Sequence, residues 1–390
     1  MPNSELINLL CEMIRIDSRN TIPIEQEGKH VATEQAMGEF AGKVMRQYGF
    51  KEVEFHPIAP QRPNVLGIYE QNADFPVLAF EAHLDTVGTD GMTIPPFEPD
   101  IRDGRIYGRG SCDTKGSMAA MLTACRLIIA EKLPVNLLFL ASSAEETGCQ
   151  GAPFWDLQRW QVGGIIIGEP TLNQPIIAHK SHLTFELHCR GKAAHGSRPE
   201  AGDNAIFKAG KLLAYLQDIV IPELSATDKK GFASGNTLSV GLINGGSKAN
   251  IIADHCSITC DVRLLPGSGD AQAFLNQLCH QASTALGFPV ELGYTHISPA
   301  MESADGHPLL LRIQEAMQNL QLPCTPGKVA YCTDGGILSS KGYPCIILGP
   351  GDILNAHAAV EFVEIEQLEQ AARIYLEVAR QAACRGIVKR

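Results

Sequence analysis

The chain has 390 residues, of which 45% are apolar and 19% charged, and its formal net charge at pH 7 is −11. A chain of this length exceeds what one hydrophobic core usually serves, so two or three domains are expected. The negative charge argues against binding to a nucleic-acid backbone, which needs a basic surface. No apolar run reaches the roughly 18 residues of a membrane-spanning helix, which argues against a membrane protein.

The cysteines and the start of the chain predict a cytoplasmic protein. The 12 cysteines form no Cys-x-x-Cys pair, and their scatter is typical of reduced thiols in a core. Residues 1–10 lack a basic segment followed by an apolar stretch, so no secretion signal is predicted.

The first part of the chain alternates helical and strand patterns. Helical spacing of apolar residues predicts helices over residues 4–16, 30–48 and 117–131. Short apolar runs predict buried strands over residues 77–82, 137–141 and 164–167. This alternation is typical of a parallel or mixed sheet with helices on its faces.

The pattern changes in the middle of the chain and then returns. Strands and helices are predicted in the order β-α-β-β-α-β, the split ferredoxin-like unit, at residues 183–189, 204–217, 237–243, 257–264, 270–286 and 290–294. A helix at 308–320, a strand at 345–348 and a helix at 365–384 follow. We therefore predict an α/β domain over residues 1–179 and 295–390, with an α+β domain over residues 180–294 inserted into it.

Acidic and histidine residues come soon after several of the predicted strands. In open α/β sheets, ligands bind outside the carboxyl ends of the strands, so these side chains are expected to meet at one rim. They are His83 and Asp85 after the first strand, Glu145 and Glu146 after the second, Glu169 after the third, His357 after the last, and Asp113 just before a helix.

Imidazole and carboxylate groups together suit zinc, and two neighbouring ions require a carboxylate that bridges them. Five of these residues are therefore assigned as ligands of an ion pair: His83 and Glu169 on one ion, Glu146 and His357 on the other, and Asp113 between them.

The two remaining residues receive supporting roles. Asp85 is placed to orient a histidine ligand, and Glu145, which is left without an ion, is assigned as the general base. Each residue taken alone has an ordinary structural explanation, such as a solvated turn. The repetition at successive strand ends favours the metal site.

Five segments carry a resemblance to a known family: HLDTV at 83–87, GRGSCDTKG at 108–116, AEETG at 144–148, GEPT at 168–171 and AH at 356–357. With these segments, the chain resembles the zinc-dependent deacylase and exopeptidase family. That family includes acetylornithine deacetylase, succinyl-diaminopimelate desuccinylase, aminoacylase and glutamate carboxypeptidase. The similarity spans nearly the whole chain and is nearest to the acetylornithine deacetylase branch.

The resemblance implies a catalytic domain with an inserted lid domain through which two subunits form a homodimer. It also implies two zinc ions per subunit, with cobalt as an alternative, and a small N-acyl amino acid as substrate. The implied reaction is hydrolysis of N2-acetyl-L-ornithine to L-ornithine and acetate, a step of arginine biosynthesis.

The resemblance further implies roles for four residues outside the metal set. His195, in AHGS at 194–197, corresponds to a lid histidine that helps to hold the oxyanion. Arg263, in DVRLLPG at 261–267, corresponds to an arginine that engages the substrate carboxylate. Asn250 and Thr333, in the matching loops, are the other implied substrate-binding residues.

Alternatives remain at this point. A succinyl-diaminopimelate desuccinylase, a dipeptidase or a carboxypeptidase would use the same metal set. Thr114 and Asp334 depart from residues common in the family and leave the leaving amino acid open. A protein of another class, a ligand-binding protein with an inactive site, would lack a ligand or Glu145, and neither is missing.

Overall fold

The computed structural model of the protein describes residues 4–20 and 34–387. The chain divides into two compact units. The first comprises Met1–Ala178, Glu302–Gly327 and Thr333–Arg390, and the second comprises His179–Met301 and Lys328–Cys332. Within the described ranges, no helix combines the length and the apolarity that crossing a membrane requires.

The first stretch of the chain alternates helices and strands as predicted, with additional strands before residue 77 and near residue 100. Residues 30–33 of the predicted second helix lie outside the described residues. The elements are α1 (Ser4–Ile14), α2 (Gln35–Gln47), β1 (Glu52–Ala59), β2 (Arg62–Tyr69), β3 (Val77–His83), β4 (Asp100–Arg102), β5 (Arg105–Tyr107), α3 (Lys115–Ala130), β6 (Asn136–Ser142), β7 (Val162–Ile167) and β8 (Ile176–His179).

The middle stretch has the predicted β-α-β-β-α-β order, with a π-helical turn and a short helix after its first helix. The elements are β9 (His182–Arg190), α4 (Ala205–Tyr215), the π-helical turn (Leu216–Val220), α5 (Ile221–Ser225), β10 (Thr237–Gly245), β11 (His255–Arg263), α6 (Ala271–Leu286) and β12 (Val290–Ser298). Its strands form an antiparallel sheet in the order β10-β11-β9-β12. In β9, buried residues alternate with half-exposed ones, because one face of the sheet covers this unit's own core.

The last stretch belongs to the first unit, apart from Met301 and Lys328–Cys332, which belong to the second. Its elements are β13 (Met301–Glu302), α7 (Pro308–Asn319), β14 (Gly327–Val329), α8 (Asp334–Ser340), β15 (Cys345–Ile347), β16 (Phe362–Glu364) and α9 (Ile365–Arg385). The long helix α9 has an apolar stripe at helical spacing that is buried in the core of the first unit.

The central sheet of the first unit is mixed. Its order is β1-β2-β6-β3-β7-β15-β8. The pairs β3–β6, β3–β7 and β7–β15 are parallel, whereas β1–β2, β2–β6 and β8–β15 are antiparallel. Every residue of β3 and β6 is buried, as expected for parallel strands covered on both faces.

This architecture confirms the predicted α/β class, with a central mixed sheet, flanking helices and a ferredoxin-like α+β unit. The assignment of residues 1–179 and 295–390 as the catalytic domain, and of 180–294 as a lid and dimerisation domain, stays a prediction.

Candidate metal centre

The parallel strands bring the predicted ligands to one edge of the first unit's sheet. His83 is the last residue of β3, Glu146 follows the end of β6, and Glu169 follows the end of β7. His357 lies in the loop after β15. Because β3, β6, β7 and β15 run in the same direction, the segments that follow them all start from the same edge.

Asp113 lies between two histidines. Its Oδ1 is 3.0 Å from Nε2 of His83, and its Oδ2 is 3.2 Å from Nε2 of His357. The two oxygens of one carboxylate therefore face different imidazoles. This is the arrangement that a carboxylate shared by two cations requires.

The glutamates complete two sets of donors. Glu146 Oε2 lies 3.1 Å from His357 Nε2, and Glu169 Oε1 lies 4.0 Å from His83 Nε2. Ligand atoms of His83, Asp113 and Glu146 are all within 4.8 Å of one another. The second oxygen of Glu146 is buried without a hydrogen-bond partner, although buried carboxylate oxygens ordinarily have one. A bound cation would supply the partner that it lacks.

The tautomer of His83 also fits a metal ligand. Its Nδ1 is 3.0 Å from the backbone oxygen of Asp85, which can only accept a hydrogen bond. Nδ1 therefore carries a proton, which leaves Nε2, on the side of Asp113, as the ring nitrogen that would bind a metal ion. Metal-binding histidines are commonly fixed in this way by a backbone carbonyl.

The electrostatics of the site are those of a dense carboxylate cluster. Burial, reinforced by the charge of Asp113, raises the pKa of Glu146 to about 7 and holds the pKa of Glu169 well above its usual range. Burial opposes ionisation of Asp113 too, but the hydrogen bonds from His357 and His83 outweigh it and keep the Asp113 pKa below its ordinary value. Hydrogen bonds to Asp113 and Glu146 raise the pKa of His357 to about 10. Negative charge at this edge thus favours cations.

Asp85 contacts the turn that carries Glu145 and Glu146. Its two carboxylate oxygens accept hydrogen bonds from the backbone N–H groups of Glu145, at 3.2 Å, and of Glu146, at 3.0 Å. Asn20 donates to Asp85 from a third direction, at 3.0 Å. The Asp85 carboxylate lies 3.4 Å from His83 Nδ1, whereas the backbone oxygen of Asp85 lies 3.0 Å from the same nitrogen. Asp85 therefore connects His83 to the Glu145–Glu146 turn.

Glu145 is half-buried, and Cys149 Sγ lies 3.6 Å from its Oε1. Burial, together with the nearby charges of Glu169 and Glu146, raises the pKa of Glu145 well above its ordinary value. A carboxylate with a raised pKa next to the cation donors is suited to accept and return a proton near neutral pH.

Several buried residues that hold this edge in place were missed in the sequence. Glu34 accepts a hydrogen bond from the N–H of Ala144 at 3.0 Å, and Asn64 accepts one from the N–H of Ser143 at 2.9 Å. On the other side, Glu361 accepts hydrogen bonds from the loop that carries Asp113. These residues come from segments far apart in sequence, and no local pattern distinguishes them from surface polar residues.

The structure places the other predicted residues as follows. In the second unit, His195 is exposed and forms a β-bridge with Ile251, while Gly196 N–H donates to the carbonyl of the exposed Asn250 at 2.8 Å. His195 and Asn250 are thus neighbours. Arg263, in β11, pairs with Asp261 through two hydrogen bonds of 2.8 and 3.0 Å.

Thr333 lies in the first unit and is fully buried. It precedes α8, and its hydroxyl accepts a hydrogen bond from Gly335 N–H at 3.1 Å, so it caps this helix. Its substrate-binding role stays a prediction, as do the roles of His195, Asn250 and Arg263.

Comparison of the sequence with known proteins identifies its relatives. The chain is 30% identical over 298 residues to an acetylornithine deacetylase of Myxococcus xanthus, a match that covers 75% of this chain and 76% of that protein. It is also 30% identical over 341 residues to an acetylornithine deacetylase of Photorhabdus laumondii subsp. laumondii, covering 85% and 86% of the two chains.

Solved structures share the fold. A tripeptidase of Staphylococcus aureus superposes with a TM-score of 0.77 at 23% identity, covering 99% of this chain and 100% of that chain. The aminopeptidase PepT of Bacillus cereus gives a TM-score of 0.76 at 21% identity, covering 97% and 98%. A family model described as peptidase family M20/M25/M40 matches residues 79–381. The chain therefore belongs to peptidase family M20/M25/M40 and is a hydrolase.

Proposed function

We propose that the protein is a two-metal amidohydrolase that removes the acyl group from an N-acyl amino acid, and that its substrate is N2-acetyl-L-ornithine. The observation that carries the proposal is the position of Asp113, which directs one carboxylate oxygen to His83 and the other to His357. The names of the relatives from Myxococcus xanthus and Photorhabdus laumondii support an acetylated amino acid as substrate. This activity would place the enzyme in arginine biosynthesis.

The metal ligands proposed are those assigned from the sequence. His83 and Glu169 would hold one ion, Glu146 and His357 the other, and Asp113 both. Zinc suits this mixed nitrogen and oxygen donor set, and cobalt is the alternative. A solved relative from Bacillus subtilis, with a TM-score of 0.67 at 17% identity and 97% coverage of both chains, is described as a dinuclear metal-binding peptidase. When bound, two such ions supply Lewis acidity and a nucleophilic water at neutral pH.

Glu145 is proposed to move the proton. The reaction needs one proton removed from the attacking water and one delivered to the departing amine. Glu145, with its pKa raised by burial, is suited to take the first and provide the second. Asp85 would fix the backbone of Glu145 and Glu146 through its two hydrogen bonds, so that the proposed base and the proposed ligand keep constant positions.

Four further residues are proposed to contact the substrate. His195 would donate a hydrogen bond to the oxyanion, a contribution of about 3–4 kcal/mol for donors of this kind. Arg263 would engage the substrate carboxylate, and Asn250 and Thr333 are the other proposed substrate-binding residues. The two parallel hydrogen bonds that Arg263 makes to Asp261 show that its guanidinium accommodates a carboxylate bidentately.

A homodimer through the second unit is part of the proposal. The strand β10 is at the edge of its sheet, and its residues Leu242 and Ile243 are 62% and 49% exposed. Helix α4 exposes Ile206 and Phe207, the latter at 72%. An apolar edge strand of this kind is a ready surface for pairing with another chain.

The 12 free thiols support a reducing compartment, and we propose that the enzyme is located in the cytoplasm.

The test is hydrolysis by the metal-free protein reconstituted with zinc or cobalt. The panel contains N2-acetyl-L-ornithine, other N-acetyl amino acids, N-succinyl-diaminopimelate, dipeptides and tripeptides. We expect the highest kcat/KM with N2-acetyl-L-ornithine and no turnover without metal. Preference for the succinyl compound would make the protein a desuccinylase, and preference for peptides would make it a peptidase. Absence of hydrolysis across the panel would contradict the proposal.

A further inference from the structure

Asn20 is a buried residue of the first unit that lies next to Asp85. Its backbone N–H donates a hydrogen bond to the carbonyl of Thr86 at 2.7 Å, and the N–H of Thr86 donates to the carbonyl of Ser18 at 3.0 Å. These two hydrogen bonds fix residues 18–20 alongside residues 85 and 86. The proposed function gives Asn20 no role, although the residue is buried beside the proposed site.

The side chain of Asn20 contacts two parts of the site at once. Its amide nitrogen Nδ2 lies 3.0 Å from Oδ2 of Asp85 and 3.1 Å from Oγ1 of Thr147. Because a carboxylate only accepts hydrogen bonds, the nitrogen with its two hydrogens is the atom that faces it. The second hydrogen is available to Thr147, which directly follows Glu146 in the chain. One amide group thus joins Asp85 to the turn of Glu145 and Glu146.

The turn that follows β6 depends on contacts from other segments. Its residues Ala144 and Cys149 have φ angles of 59° and 57°, in the left-handed region that residues with a side chain rarely adopt. Such a conformation persists only where the surrounding structure fixes it. Asp85 supplies part of that support, because its carboxylate accepts hydrogen bonds from the N–H groups of Glu145 and Glu146. A residue that fixes the carboxylate of Asp85 therefore also fixes the turn.

We propose that Asn20 is a positioning residue for the hydrolysis. By holding Asp85 and Thr147 together, it keeps the turn in the conformation that places the Glu145 carboxylate for proton transfer. Asn20 acts through Asp85 rather than by contact with the substrate. The effect on turnover rests on the proposed function, in which Glu145 is the general base, whereas the anchoring of the turn does not.

The anchoring is tested by hydrogen exchange of the metal-free full-length protein, followed by mass spectrometry. Asn20→Leu keeps the branched shape of the side chain but donates no hydrogen bond. The amides of residues 143–150 should then exchange at least about tenfold faster under native conditions, because a hydrogen bond to a charged group is lost. The matched control Asn136→Leu removes a buried asparagine at the start of β6, whose Nδ2 donates to the carbonyl of Asn72 at 2.8 Å. It should leave exchange at residues 143–150 unchanged.

A milder variant guards against a failure of Asn20→Leu to fold. Thr147→Val keeps the shape of the side chain and removes only the second acceptor of the Asn20 amide. The same amides should again exchange faster, by about threefold or more. The anchoring is disproved if exchange at residues 143–150 is unchanged in Asn20→Leu, or in Thr147→Val where Asn20→Leu does not fold.

The positioning role is tested by turnover of the metal-loaded protein with the substrate that the panel identifies. Residues that support ligands typically change activity by about 10–100-fold, so Asn20→Leu should lower kcat in that range while KM stays within about threefold. Asn136→Leu should weaken resistance to urea but leave kcat unchanged. An equal loss of kcat in both variants would reduce the role of Asn20 to general stability.

A double-mutant cycle tests whether Asn20 acts through Asp85. If it does, adding Asn20→Leu to Asp85→Ala should lower kcat by less than about threefold beyond the single Asp85→Ala variant, whereas the losses of independent residues multiply. Multiplied losses would overturn the proposal.

The two proposals fail in different ways. If Asn20→Leu speeds exchange in the turn but the unaltered protein cleaves no substrate of the panel, the anchoring stands and the proposed function fails. If N-acyl amino acids are cleaved and Asn20→Leu hydrolyses them at the normal rate, the proposed function stands and the positioning role fails.

Discussion

Glu361 accepts a hydrogen bond from the backbone N–H of Asp113, with 3.1 Å between nitrogen and oxygen. The same oxygen accepts from Cys112 N–H at 3.0 Å, and the other oxygen is 2.6 Å from the guanidinium of Arg109. Both Glu361 and Arg109 are buried. The segment that carries His357 therefore also anchors the loop that carries the proposed bridging ligand.

The first prediction concerns Glu361→Gln. The amide removes the anion that faces the buried Arg109, so we expect a loss of about 3–5 kcal/mol in the free energy of unfolding of the metal-free protein. Residues that support ligands typically change metal affinity by about 10–100-fold, and we expect a loss in that range. Urea unfolding and chelator competition measure the two effects. The control is Glu364→Gln, whose partner Arg105 is half-buried. If both variants behave alike, Glu361 has no special role.

The second prediction concerns Glu145→Gln. Glutamine keeps the shape of the side chain but cannot accept the proton from water, so kcat should fall by at least about 10²-fold. The metal content, measured by elemental analysis, should stay that of the unaltered protein. Near-normal turnover would remove Glu145 from its role, and a lower metal content would make it a ligand.

The third prediction concerns the proposed ligands. His357→Ala should bind one ion fewer per chain, and Asp113→Ala should lower the affinity for both ions, because each Asp113 oxygen faces a different histidine. Elemental analysis after dialysis against a weak chelator measures both. His56→Ala, which removes a surface histidine that pairs with Glu54 and contacts the ring of Trp155, is the control. Unchanged metal content in His357→Ala would contradict the assignment.

The fourth prediction concerns assembly. Replacing Leu242 with Asp places a charge in the exposed edge strand β10 and should convert a dimer into a monomer in sedimentation analysis. The control Ile101→Asp changes an exposed apolar residue of the first unit and should leave the molecular mass unchanged. A monomeric unaltered protein would refute the proposed dimer.

The fifth prediction concerns stability at acid pH. His179 is fully buried, its Nδ1 donates to the carbonyl of Lys180 at 2.7 Å, and burial lowers its pKa to about 4. The unfolded chain takes up that proton near pH 6.5. Between about pH 4 and pH 6.5, the unfolded state binds more protons at this histidine than the folded state does. The contribution of the neutral His179 to the free energy of unfolding is therefore complete above about pH 6.5 and is lost as the pH falls towards 4.

The variant His179→Asn keeps a donor near the position of Nδ1 and cannot titrate. Relative to it, the unaltered protein should lose up to about 3 kcal/mol of unfolding free energy between pH 7 and pH 4. Urea unfolding at several pH values measures the difference, and His280→Asn, an exposed histidine of the same unit, is the control. Parallel pH profiles of the His179→Asn variant and the unaltered protein would contradict the prediction.

The sequence by itself predicted the fold class and the set of side chains at the sheet edge. Buried parallel strands have continuous apolar sequences. The residues at or just after their carboxyl ends, such as His83 and Glu169, therefore lie at the same edge of the sheet. The resemblance of the chain to a deacylase and exopeptidase family was confirmed by the family match.

Tertiary structure alone decided which atoms meet. That Asp113 divides its oxygens between His83 and His357 depends on how the loops after distant strands pack together, and spacing carries no information on this. The same holds for Glu361, which anchors a loop about 250 residues earlier in the chain, and for Asp334 beside Cys149. Such contacts join segments whose separation in sequence is unrelated to their distance in space, so only the folded chain reveals them.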